Sequence, residues 1–270
     1  MTAATRLVAL DVDGTILHED ASLSDAVREA VAAVSARGHL VTFATGRSWA
    51  STKPVLDALG LAPEYVVCAN GALVLARDDE EESGYRRHLI ETFDPREVLE
   101  TVHAQLDDGR YMVELPNGHR KYTEGMADWD LENAEQVPFD GLSAEPVLRV
   151  VVVAPNQDEQ EFLERVEAMG LHQVAYSIGW TAWLDIAPKG VNKSTALEAV
   201  RAALDIPGDR VFVAGDGRND IEMFEWAVAG GGTAVAMGQA PEEVLAAANA
   251  RTGTIDEDGL ADALTQHLLD

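Results

Sequence analysis

The chain has 270 residues and a formal charge of −27, with 47 acidic against 20 basic side chains. Such acidity argues against nucleic acid or an anionic membrane as partner, since both select basic patches. The length suits two domains, or one domain with a large insertion. No apolar stretch reaches membrane-spanning length, and the run after Arg6 is cut short by Asp11, so neither a span nor a signal peptide is expected. A single cysteine, Cys68, cannot form an internal disulfide, and a cytoplasmic setting is expected.

In chain order, Arg6–Asp11 reads as a short buried strand, because Leu7-Val8-Ala9-Leu10 is an apolar run bounded by a charged residue and a turn. A helix from about Ser24 to Arg37 stops at Gly38, strand His39–Ala44 follows, and a second helix from Ser48 to Leu59 ends at Gly60. Strand Tyr65–Ala69 leads through the turn dipeptide Asn70-Gly71 into Ala72–Leu75. The acidic run Asp78–Glu82 reads as a solvated hinge or loop. Beyond it come a strand near Tyr85–Glu91, a helix near Asp94–Leu106, and strands near Arg110–Leu115 and His119–Thr123. After a polar connector, Glu124–Pro146, the order recurs as strand Val147–Ala154, helix Asp158–Met169 and strands His172–Ser177 and Thr181–Ile186. A strand-helix-strand-strand unit used twice implies a small α+β domain with a pseudo-repeat. The first alternation then resumes, with a helix over Asn192–Leu204, strand Arg210–Ala214, a helix from near Asn219, strand Thr233–Ala236, and helices over Pro241–Ala248 and Gly259–Leu268. The expected fold class is α/β, a doubly wound parallel-sheet core in two parts, 1–82 and 189–270, with the α+β domain inserted at 83–188.

Chemistry collects where strands end, the edge at which open α/β sheets bind ligands. Asp11-Val12-Asp13-Gly14-Thr15 follows the first strand, and Gly215-Asp216-Gly217-Arg218-Asn219-Asp220 follows the strand Val211–Ala214. Carboxylates about 4 Å apart repel by roughly 4 kcal/mol at an effective dielectric near 20. A divalent cation relieves that repulsion, and the oxygen-only set Asp11, Asp13 and Asp216 points to Mg²⁺. Asp11 can then serve as nucleophile and Asp13 as general acid and base. Thr45-Gly46-Arg47 stands between a strand and a helix, where Thr45 and Gly46 suit a phosphate oxygen, although Thr45 or Ser48 can simply cap the helix.

Only four lysines occur, and two of them, Lys189 and Lys193, flank the start of one helix. A cation there opposes the helix dipole, so Lys193 makes sense facing an anion, either Asp11 or a substrate phosphate, while Lys189 reads as surface. Asn219 can donate to a phosphate oxygen and Asp220 can orient Lys193, or either can cap the next helix. Arg47, Arg149 and Lys121 are candidates to meet the leaving group, and Trp180 and Trp183 either pack or stack on substrate. The seven histidines show no metal-ligand spacing.

In order and placement these four sites resemble the haloacid dehalogenase-like superfamily of aspartyl phosphatases, whose motifs are D-x-D-G-T, a Ser/Thr, a Lys and G-D-x-x-N-D. The insertion between Thr45 and Lys193 resembles a type II (IIB) cap, and Asn70-Gly71-Ala72 with Lys189–Leu197 looks like the Cof-type branch. The resemblance implies a Mg²⁺-dependent phosphatase of small phosphorylated metabolites, such as sugar phosphates, working through an aspartyl-phosphate on Asp11. A phosphomutase of the same superfamily is the alternative, as is a non-catalytic sugar-phosphate-binding protein, which would have no use for both Asp11 and Asp13.

Overall fold

A computed structural model describes residues 5–106, 108–125, 133–171, 174–178 and 182–270. His172, Trp180 and Thr181 therefore lie outside the described residues. The elements run β1 (Leu7–Leu10), α1 (Asp25–Ala36), β2 (Leu40–Phe43), α2 (Trp49–Leu59), β3 (Tyr65–Cys68), β4 (Leu73–Arg77), β5 (Tyr85–Ile90), α3 (Arg96–His103), β6 (Arg110–Glu114), β7 (Arg120–Tyr122) and β8 (Ala134–Gln136). They continue as β9 (Arg149–Val153), α4 (Glu159–Ala168), β10 (Val174–Ile178), β11 (Trp183–Pro188), α5 (Lys193–Ala203), β12 (Val211–Gly215), α6 (Ile221–Ala229), β13 (Thr233–Ala236), α7 (Glu242–Ala247), β14 (Ala250–Arg251) and α8 (Gly259–Leu264).

Strands β14-β13-β12-β1-β2 form a parallel sheet, as the alternation of strand and helix predicts. Its central strands β1 and β12 are buried on both faces; α1, for example, lays Val27, Ala30, Val31 and Val34 against the sheet at helical spacing. The register decides the site: Leu10 pairs with Ala214 on one side and Phe43 on the other, so three strands run out together. Asp11, Thr45 and Asp216 consequently leave the sheet at one edge. A parallel bridge from Ala44 to Val67 attaches β3 beside β2.

A second sheet, β10-β11-β9-β6-β7-β8, carries α3 and α4 on one face, where Val98, Val102, Phe162 and Val166 pack with Tyr111, Val113, Val150, Val152, Leu184 and Ile186. Alternation along the strands turns Met112, Glu114, Arg149, Val151, Trp183 and Asp185 to the opposite face. Its pairings are antiparallel apart from β7 with β8.

Two expectations change here. The strand expected to open the inserted unit is β5, and it pairs with β4 in a three-stranded sheet β3-β4-β5. The acidic run Asp78–Glu82, expected as a hinge or loop, is a loop and not the hinge: it is the turn of that β4–β5 hairpin, closed by Asp78 N–H donating to Gly84 O. The chain changes sheets instead at Thr92, since Glu91 N–H donates to Ala72 O while Phe93 pairs with Val147. The polar connector also holds structure: besides β8, Phe139 stacks on His103 with ring centroids 4.2 Å apart.

Gly71 fastens the β3–β4 turn to α5. Its φ is +97°, and a Cβ there would stand 2.2 Å from Asn192 O, beside the cap of that helix. Gly71→Ala is expected to lower stability by about 1–3 kcal/mol. Thermal melting checks it, with an unchanged melting temperature as the contrary result.

Candidate active site

Asn192 opens α5, its side chain accepting from Thr195 N–H, and Lys193 is the first helical residue. Lys193 is 1% exposed, and its Nζ donates to Asp11 Oδ1 at 2.6 Å and to Asp220 Oδ1 at 2.7 Å. The second oxygen of Asp220 accepts the backbone N–H of Asp216 and of Gly217, both at 3.0 Å. Asp220 thus holds the lysine and the turn after β12 together. Burial lowers the affinity of Lys193 for its proton, but Asp11 and Asp220 outweigh it and raise its pKa. Lys189 is exposed, as expected.

Asp11, Asp216 and Asp220 have carboxylate oxygens within 4.8 Å of one another. Gly14 makes this approach possible: at φ +74° it presents no side chain, and a Cβ would meet Asp216 Oδ2 at 2.1 Å. Thr15 and Gln239 make only long contacts to Asp216, both 3.4 Å. Three carboxylates against one ammonium leave two formal negative charges in a buried site. Burial, then the charge of Asp220, pushes the Asp216 carboxyl up to about 7; burial and the neighbouring acids also raise Asp11, against the pull of Lys193. A hard divalent cation fits this all-oxygen set and this charge.

The acids brought together are not the expected trio. Asp13, expected among the metal ligands, turns to Arg47, which donates to it from Nε at 2.9 Å and from Nη2 at 2.5 Å. Asp11 and Asp13 flank buried Val12, whose carbonyl accepts the N–H groups of Thr15, Ile16 and Leu17, and their side chains diverge as the chain turns. Asp220, read as a partner of Lys193, is that partner and also the third member of the acidic group.

Ser48 caps α2 by accepting from Ser51 N–H, which leaves Thr45 free of that duty. Thr45 is fully buried, its Oγ1 accepts from Arg47 N–H and its carbonyl accepts from Asn70 N–H. Asn219 does not cap α6; its Nδ2 donates to Asn70 Oδ1 at 3.0 Å. Trp183 packs with Met112, Val151, Val153 and Tyr122, and Lys121 pairs with Glu145. A cavity of about 440 Å³ opens between the two sheets, lined among others by Asn70, Asp185, Ala187, Lys193, Asn219 and Glu222.

Sequence reasoning missed three participants. Asn70 stands in a turn dipeptide and in the Asn70-Gly71-Ala72 motif, neither of which gives it a role at the site, and nothing in the sequence singles out Gln239 or Asp185; in the structure Asn70 has φ +50°, and a non-glycine residue in the left-handed region merits a functional look.

The haloacid dehalogenase-like hydrolase pattern matches residues 8–264. The chain belongs to that family. It is 27% identical over 269 residues to 5-amino-6-(5-phospho-D-ribitylamino)uracil phosphatase YitU of Bacillus subtilis, covering 97% of both chains. It is 28% identical to pyridoxal phosphate phosphatase YbhA of Escherichia coli over 98% of this chain and 99% of that one. Among solved structures, the subclass IIB sugar phosphatase BT4131 superposes with a TM-score of 0.79 at 24% identity, covering 97% of this chain and 98% of that one. The hydrolase thus shares its fold with enzymes built as a parallel-sheet core plus cap. Among its described residues no helix is long and apolar enough to cross a membrane.

Proposed function

We propose that the chain, a phosphomonoester hydrolase of the haloacid dehalogenase-like family, cleaves small phosphorylated metabolites with Mg²⁺ through an aspartyl-phosphate on Asp11. The observation that carries this reading is the buried Asp11–Lys193–Asp220 chain beside Asp216 at the sheet edge. Asp11 and Asp216 would hold the cation, with Asp220 behind them, and when bound it would neutralise charge on the phosphoryl oxygens.

Asp11 Oδ1 is tied to Lys193, so Oδ2 is the oxygen free to attack phosphorus in line. The new Asp11–phosphorus bond forms as the ester oxygen leaves, and Asp13 supplies that oxygen with a proton. Asp13 then takes a proton from the water that hydrolyses the acyl phosphate. In the described conformation Asp13 is paired with Arg47, so it must swing away from the guanidinium to reach the ester oxygen. Thr45, Gly46 and the free N–H of Asn219 hold the phosphate oxygens beside Lys193. The one cysteine plays no part: burial pushes the Cys68 thiol up to about 12. A cytoplasmic setting and a small-molecule substrate fit this reading, with neither nucleic acid nor membrane as partner.

A screen of phosphorylated metabolites with Mg²⁺, read as release of inorganic phosphate, tests the proposal. An isomerised product without free phosphate would favour a mutase instead. The inserted unit, from about Thr92 to Pro188, would choose among substrates, with Arg47 and Trp183 near the leaving group. Substituting Trp183 is then expected to change relative rates among sugar phosphates by more than about tenfold, about 1.4 kcal/mol. A small aryl phosphate should change much less; equal loss on every substrate would contradict the division of labour.

A further inference from the structure

We infer that Arg149 and Asp185, two side chains of the inserted unit, are positioning residues for phosphate binding in the core, acting on Asn219 through Asn70. The inference rests on the phosphatase reading above and adds to it how the inserted unit would report its closure to the chemistry.

The two residues lie on neighbouring strands, β9 and β11, on the sheet face turned away from α3 and α4. Arg149 is 6% exposed and its Nε donates to Glu114 Oε2 at 3.0 Å. Its Nη1 reaches Asp185 Oδ2 at 3.1 Å and, across the gap between the sheets, the carbonyl of Gly46 at 2.5 Å. Gly46 belongs to the phosphate-binding turn after β2. Asp185 Oδ2 also accepts from Asn70 Nδ2 at 3.0 Å, and Asn70 Oδ1 accepts from Asn219 Nδ2 at 3.0 Å. One continuous series of hydrogen bonds therefore starts in the inserted unit and ends on two parts of the phosphate site, Gly46 and Asn219.

The direction of this series follows from chemistry. Asp185 Oδ2 already takes two donors, so it acts as an acceptor whether or not Oδ1 carries a proton. Asn70 must then turn its NH₂ toward Asp185 and its carbonyl toward the core. That carbonyl can be met only by a donor, which obliges Asn219 to present its NH₂. One N–H of Asn219 is used on Asn70 and the other remains for a phosphate oxygen. In the reverse orientation of the Asn70 amide, which Asp185 as an acceptor disfavours, Asn219 would offer the phosphate its carbonyl oxygen, a repulsive contact.

The arrangement also explains two otherwise costly features. Among the described residues Asp185 Oδ1 is buried with no hydrogen-bond partner, and burial, against the pull of Arg149, raises the Asp185 pKa. Two carboxylates, Glu114 and Asp185, share one guanidinium in a place with little water. Such a cluster is a poor way to stabilise two packed units, and it suits a contact made and broken as the inserted unit closes and opens.

A double-mutant cycle between Asp185 and Asn219 tests the inference, with inorganic phosphate as a product inhibitor and a small aryl phosphate as substrate. Asp185→Leu and Asn219→Ala are each expected to raise the phosphate inhibition constant about tenfold or more. The double variant should be no worse than about twofold beyond the poorer single one, because residues acting through one series are not additive. Asp185→Asn keeps an accepting oxygen and should recover most of the loss. If Asp185→Leu does not fold, Asn70→Ala takes its place in the cycle. Additive losses, or no recovery in Asp185→Asn, would overturn the inference while leaving the phosphatase reading intact. A wild-type protein that hydrolyses no phosphomonoester would overturn that reading instead.

Discussion

Asp11→Asn is expected to abolish turnover, by about 10⁴-fold or more in kcat, while the protein folds and melts much as before. The amide is nearly isosteric, and its carbonyl oxygen can still accept from Lys193 Nζ where Asp11 Oδ1 does at 2.6 Å. What it lacks is a second anionic oxygen to attack phosphorus. The substitution also removes one of three buried carboxylates, and repulsion among them is part of what raises the pKa of Asp11. A melting temperature equal to or above that of wild type is therefore consistent with complete loss of activity. Phosphate release by the purified variant at a substantial fraction of the wild-type rate would exclude the covalent route. A variant that failed to fold would show that Asp11 is needed to hold Lys193 in the core, and Asp11→Ser, smaller but still able to accept, would then carry the test.

Much of this site was legible because parallel strands convert sequence order into a common edge. Two apolar runs of four residues, Leu7–Leu10 and Val211–Ala214, and the strand Leu40–Phe43, apolar but for Thr42, place Asp11, Thr45 and Asp216 at one sheet edge once Leu10 is in register with Phe43 and Ala214. Lys193 was legible for an electrostatic reason, since a buried cation at a helix start needs an anion. The differences from expectation have equally physical sources. A two-residue alternation says that Tyr85–Ile90 is a strand and nothing about which sheet takes it; pairing with β4 satisfies the same pattern as joining the inserted unit. Asp-x-Asp spacing suggests two carboxylates on one cation, yet the turn around Val12 separates them and Arg47 takes Asp13. Asn70 and Asp185 meet across 115 residues of sequence; the Asn70-Gly71-Ala72 motif marks Asn70 but not its partner, and no local run marks Asp185. Contacts between the two sheets are set by how the inserted unit sits on the core, which no local pattern encodes.

Removing divalent metal is expected to abolish turnover and, independently of activity, to give the fold a pH dependence that Mg²⁺ reverses. The Asp216 carboxyl, pushed up to about 7 by burial and by Asp220, holds its proton in the folded chain well above the ordinary carboxylate range, and Asp11 is shifted the same way. Below about pH 4 these groups are protonated whether the chain is folded or not, and their contribution to stability is fully present. As pH rises toward 7 the unfolded chain releases these protons first. The folded chain must either retain them or carry crowded buried charge, so stability is lost through this window. A bound cation favours the ionised acids, so its stabilisation must grow over the same range. Thermal melts at about pH 5 and about pH 7.5, with chelator and with Mg²⁺, check this: the Mg²⁺-induced rise in Tm should be clearly larger at the higher pH. Calcium should also raise Tm yet support little turnover, because its longer, looser coordination leaves the attacking oxygen of Asp11 poorly aligned. Full activity after exhaustive chelation, or a Mg²⁺ stabilisation that does not change with pH, would mean that Asp11, Asp216 and Asp220 are not gathered around a cation.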